Sequence, residues 1–157
     1  MPERELRTDP LGGRLVFGFE NQGGFDWSLL LTPDHHEPDL TVWFRESGEA
    51  PVAEEEPLSG FLLQFALYEA AMSADYHALA GGVSSRQVEQ LTTHLHHVPL
   101  RPFMPSSRTR FHVAPGIVLH VSDGWEAGEF DVWAGATHRS ALQALLGADV
   151  DWVGFDG

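Results

Sequence analysis

The stretch LVFGFENQGGFDWSLLL, residues 15–31, leaves little freedom of conformation. Leu15, Phe17 and Phe19 alternate with Val16, Gly18 and Glu20. Phe25, Trp27, Leu29 and Leu31 then repeat the alternation. A period of two puts each apolar set on one face of a strand. Between the two runs lies NQGG, where Gly23 and Gly24 reach positive φ at little cost and Asn21 tolerates the left-handed region. The pattern predicts a β-hairpin over 15–31. Asn21 and Gln22 carry both donors and acceptors, so their side chains are expected to satisfy backbone groups where the hairpin leaves its ladder.

Downstream, TPDHHEPD reads as a loop and LTVWFR, 40–45, as a third strand. ESGEAPVAEEEP reads as a polar, acidic connection. LSGFLLQFALYEAAM predicts a helix with Ser59 as N-cap. Its stripe is Phe61, Phe65, Tyr68 and Met72, widened by Leu62, Leu63, Ala66 and Ala70. AGG at 80–82 reads as a break. SSRQVEQLTTHLHHV predicts a second helix opened by a Ser84/Gln87 capping box. PLRPFMPSSR holds three prolines and excludes regular structure. Strands are expected at 109–113, 116–121 and 129–135. Thr137 is the expected cap of a last helix ended by Gly147, followed by a tail that docks through Val150, Trp152 and Phe155. The expectation is an α+β fold in one domain, 1–157, in the order β-β-β-α-α-β-β-β-α. It has one mainly antiparallel sheet of about six strands with helices packed on it.

The 157 residues and 43% hydrophobic content suit a globular core. Cysteine is absent, which excludes disulfides and thiolate chemistry. Nine basic against 23 acidic residues give a formal charge of −14, and all nine are arginine. Such a chain repels phosphate backbones and anionic lipid, so neither nucleic acid nor membrane is an expected partner. MPERELRTDP has no apolar core and does not read as a signal peptide. No apolar run reaches membrane-spanning length. A cytoplasmic location is the expectation.

Catalytic signatures are missing. There is no G-x-S-x-G elbow, no P-loop and no dinucleotide fingerprint. Asp123 with Glu126, or Glu129 with Asp131, could pair, but chance pairs are common among 23 acids. His94 and His97 have i,i+3 spacing if helical, with His112 and His120 as the nearest further ligands on strands expected to face solvent. His35 and His36 adjoin Asp34 and Glu37. No metal or other cofactor is expected. Glu49, Glu54, Glu55 and Glu56 crowd the acidic connection and are the candidate partner-binding residues, suited to steering a basic partner.

Several of these segments together resemble the SUKH superfamily. Its members carry a strand ending in E-N-Q-G, then a strand with Trp, a D-P-x-V segment, and a helix with a serine-rich cap before F-L. The matching residues here are Glu20, Asn21, Gln22 and Gly23, then Trp27, then Pro38, Asp39 and Val42, then Ser59, Phe61 and Leu62. The likeness runs from about residue 14 to 146. The middle segment is inverted to EPDLTV, and the N-terminal helix-loop region usual in the family is shorter here. The resemblance implies an α+β, non-catalytic domain of the immunity or adaptor type. Its partner would be a toxin domain with a basic cleft, such as a nuclease or deaminase. The other readings open at this level are a small metal-binding protein or enzyme using His and carboxylate groups, and a general protein-interaction adaptor.

Overall fold

The computed structural model describes residues 7–8, 13–20, 22–31 and 39–157. The fold is α+β, with two antiparallel sheets and short helices. The chain divides into two compact units at Phe61/Leu62, inside a helix, and not at the proline-rich stretch.

The first unit is a meander of five strands in chain order: β1 (Arg7–Thr8), β2 (Arg14–Phe19), β3 (Phe25–Leu30), β4 (Thr41–Glu46) and β5 (Val52–Pro57). The predicted β2–β3 hairpin forms, but a register shift between Val16 and Gly18 breaks the expected alternation of β2: Leu15 lies opposite Leu29 and Gly18 opposite Trp27, whereas Phe19 lies opposite Asp26 on the other face. Gly23 closes it at φ 77. Trp27 and Phe44 are cross-strand partners. Both are buried, and their rings lie 6.0 Å apart. Phe25 and Phe61 add edge-on contacts to Trp27 at 5.0 and 5.6 Å. Gly18 is required beneath this cluster, because a Cβ there would meet the Trp27 ring at 3.1 Å. The opposite face is polar: Arg45 pairs with Asp26 at 2.7 Å, and the Arg14 guanidinium lies 4.9 Å above the Trp43 ring.

β5 corrects the sequence reading, which made this segment a connection. Three consecutive glutamates suppress a strand assignment by propensity. The segment nevertheless pairs with β4, Trp43 opposite Ala53 and Phe44 opposite Val52. The helix that follows, α1 (Leu58–Met72), is capped from a distance: the Asp39 carboxylate accepts the Ser59 N–H at 3.1 Å and the Ser59 hydroxyl.

In the second unit the remaining elements are β6 (Tyr76–Ser84), α2 (Ser85–Thr92), β7 (His96–His97), β8 (Arg110–Ala114), β9 (Ile117–Asp123), β10 (Glu129–Ala136), a 3-10 helix (Arg139–Leu145) and β11 (Gly154–Phe155). They build a sheet in the order β11-β6-β10-β9-β8-β7. So there are two sheets and not one, and a long strand separates the helices. Gly81 and Gly82 signal a bulge in β6 and not a break. Between the partners Ala80↔Val132 and Val83↔Phe130, the register shifts around them, and Gly82 has φ 67.

One face of this sheet carries the core of Ala78, Ala80, Val83, Leu119, Val121, Val132 and Ala134, covered by Leu91, Leu142 and Leu145. Trp152 and Phe155 of the tail pack against it, as their apolar spacing predicts. On the other face Phe111, His120 and Trp133 are lateral register partners. Tyr68 of α1 lies 6.1 Å from the His120 ring. α2 opens with the predicted capping box: the Ser84 N–H donates to Gln87 Oε1 at 2.9 Å, and the Gln87 N–H returns to Ser84 Oγ at 3.4 Å. The last helix is 3-10, and its cap is His138 and not Thr137. The His138 Nδ1 accepts the Ala141 N–H at 3.1 Å.

α1 meets β10 closely at Gly135. A Cβ added there would lie 2.6 Å from the Ala71 Cα, against helix backbone that cannot step aside. Gly135→Ala should therefore destabilise the protein by at least about 1–3 kcal/mol, the usual cost of overpacking. Urea denaturation with an unchanged m-value is the check.

Candidate functional site

The E-N-Q-G segment serves the hairpin turn. Glu20 supplies the key group, where the amides were expected to. Its carboxylate accepts the backbone N–H groups of Gln22 at 2.8 Å and Gly24 at 3.2 Å. Its own N–H donates to the Phe25 carbonyl at 2.9 Å, and its carbonyl accepts from Gly23 at 2.9 Å. Gln22 and Gly23 are exposed, whereas Asn21 lies outside the described residues. Trp27 is buried in the aromatic cluster, and its indole N–H has a definite recipient.

That recipient is Glu54, one of the four acids expected to face a partner. On β5 it points inward, is 5% exposed, and accepts the Trp27 Nε1–H at 2.8 Å. It is a structural carboxylate and cannot touch a docked protein. The alternation of the strand explains the split: Glu55, one residue on, faces outward and is exposed, and Glu56 is half-buried. Glu49 is exposed in the preceding turn. Of the four acids, then, Glu49 and Glu55 are exposed, Glu56 is half-buried and Glu54 is buried.

The histidines scatter. The helix that was to carry His94, His96 and His97 ends at Thr92. His94 falls in a turn, and His96 and His97 form β7, so helical i,i+3 spacing is lost. His112 and His120 do not face solvent as expected. His112 is half-buried beside His97, ring centroids 5.1 Å apart. Burial, with the His97 ring and Arg110 guanidinium nearby, lowers it from 6.5 to about 4. His120 lies between the Trp133 ring, stacked at 6.5 Å, and Tyr68. Burial alone lowers it to about 4. Neither ring nitrogen has a hydrogen-bond partner among the described residues. No group of three or more His, Cys, Asp or Glu among the described residues is arranged to hold a metal ion. His35 and His36 lie outside them.

The strongest surface feature is one the sequence reading passed over. The β9–β10 hairpin turns through Gly124–Gly128, with Gly128 at φ 88 and the Gly124 N–H donating to the Glu129 carbonyl at 2.9 Å. At its tip Trp125 is 99% exposed. Asp123, Glu126 and Asp131 on the same hairpin are exposed, and Glu129 is half-buried. The acids weighed as possible carboxylate pairs, Asp123 with Glu126 and Glu129 with Asp131, all lie on this hairpin. The signal for the tip was present as SDGWEAG, a turn composition enclosing a tryptophan. Comparison with known proteins finds no matching family model, curated protein or solved structure.

Two consequences can be measured. Trp27→Phe keeps an aromatic ring in the cluster and removes the donor to Glu54. It should cost about 1–3 kcal/mol in chemical denaturation, the range for depriving a buried polar group of a partner. His120 must gain a proton on unfolding at mildly acid pH. The unfolded ring titrates near 6.5 and the folded one near 4. Its contribution to stability is therefore complete above pH 6.5 and is lost as pH falls towards 4. The loss is at most about 3 kcal/mol at about 1.36 kcal/mol per pH unit. Urea midpoints at pH 7 and pH 5 should differ accordingly, and His120→Phe should shrink the difference.

Proposed function

We propose that this chain is a non-catalytic protein-binding domain of the immunity type, which acts by covering the basic cleft of a toxin domain. The observation that carries the reading is Trp125. An indole held 99% exposed at a hairpin tip costs hydration free energy in the free protein. Tryptophan is among the commonest hot-spot residues where proteins meet. The exposed acids around it, Asp123, Glu126 and Asp131, select for a positively charged partner. On the first unit Glu49 and Glu55 are exposed as well, within a chain of charge −14. The likeness of residues 14–146 to SUKH proteins supports the same class of partner. The buried chemistry supports a binding role as well: Glu54 is engaged by an indole, and His120 is packed among aromatic rings.

The test is co-expression with the product of each neighbouring gene, scored by rescue of growth, followed by titration of the purified pair. Trp125→Ala should fold normally, because the side chain packs on nothing. It should weaken the complex by about 2 kcal/mol or more, roughly thirtyfold in Kd. Raising the salt concentration should slow association. Exclusively acidic partners, or rescue undiminished by Trp125→Ala, would overturn the reading.

A further inference from the structure

At the base of the same hairpin, on the second unit, lies a cleft of about 290 Å³. Its walls come from α2 (Ser85, Val88, Glu89), β7 (His97), β8 (Arg110, His112), β9 (Val121) and β10 (Phe130). Three cationic or donor side chains converge there. The His97 and His112 rings are in edge contact, and Arg110 is two residues from His112 on the same face of β8. The Arg110 guanidinium lies 5.9 Å from the Phe130 ring. Its ion pair with Asp123 is long, at 3.6 Å between exposed groups, and such pairs are weak. Val88, Val121 and Phe130 make the remaining wall apolar.

We propose that this cleft binds a small oxyanion carried on an apolar body, of the carboxylate class, with Arg110 taking the anionic head and Phe130, Val88 and Val121 taking the body. His97 and His112 donate ring N–H groups to the head. In a protein of charge −14 with nine basic residues, this cleft places one arginine and two histidine rings together against an apolar wall. The low proton affinity of His112 comes first from burial, with the neighbouring His97 and Arg110 adding to it. Glu89 in the lining and Asp123, paired with Arg110, are the opposing acids. The volume suits a small ligand, at the lower end of the roughly 300–1,000 Å³ of typical ligand sites.

The probes are benzoate, a carboxylate on an apolar ring, and inorganic phosphate, an oxyanion without one. Each is titrated into the whole protein at pH 6.5 and followed by the ring-proton NMR signals of His97 and His112. Benzoate should move both signals saturably, and phosphate should bind more weakly. Arg110→Gln, at an exposed position that does not threaten folding, should weaken benzoate about fivefold or more. Asp123→Asn, which releases Arg110, should tighten it by a few-fold, an effect no merely structural role of Arg110 produces. Tighter binding of phosphate than benzoate, benzoate binding indifferent to both substitutions, or no saturable shift with either probe would each overturn the proposal.

Discussion

The six-stranded sheet depends on a single irregularity of pairing. Across Gly81 and Gly82 the partner of β6 advances from Val132 to Phe130 while β6 itself advances from Ala80 to Val83. Residues 80 and 83 are an odd distance apart, so in a regular strand they would face opposite sides. The extra residue restores phase, and Ala78, Ala80 and Val83 all reach the same core. Only a residue free to take φ 67 absorbs the step cheaply, and glycine provides it. The bulge also fixes where β6 ends. Ser84 sits opposite Glu129 and caps α2, so the wall of the cleft that α2 forms inherits its position from the bulge.

This is also where reading by sequence lost information. Gly-Gly in an alanine-rich segment has the composition of a break, and only the strands on either side decide that it is a bulge. Propensity likewise hid β5, because EEE is unfavourable in isolation and is carried by pairing to β4 and by one indole. The elements that were legible are those whose signals are local. The β2–β3 hairpin announces itself through alternation and NQGG. The α2 N-terminus announces itself through Ser84 and Gln87, and both their hydrogen bonds form. The α1 N-terminus was legible only in part, because its Asp39 cap comes from a remote segment.

The candidate binding residues divide by the same logic. Composition marked Glu49, Glu54, Glu55 and Glu56 as one acidic run, but a strand turns neighbours to opposite faces. Glu54 therefore went inward to Trp27, and Glu55 stayed outside. A buried carboxylate beside an indole donor is costly unless its hydrogen bonds are made, which ties the aromatic core of the first unit to the identity of that one acid. Trp125 is the converse case: a position between Gly124 and Gly128 in a hairpin turn leaves an apolar side chain nothing to pack on.

The hairpin that presents Trp125 and the cleft at its base share residues. Phe130 is both a β10 residue of the hairpin and a wall of the cleft; Asp123 ends β9 and is the partner of Arg110. Arg110 consequently stands between two claims, one from a carboxylate of the acidic hairpin and one from whatever occupies the cleft. While it holds Asp123 it neutralises one charge at the foot of an otherwise negative surface. A ligand that draws it inward leaves Asp123 uncompensated and makes that surface more negative. The guanidinium at this balance point is positioned by β8 and lies 5.9 Å from the Phe130 ring.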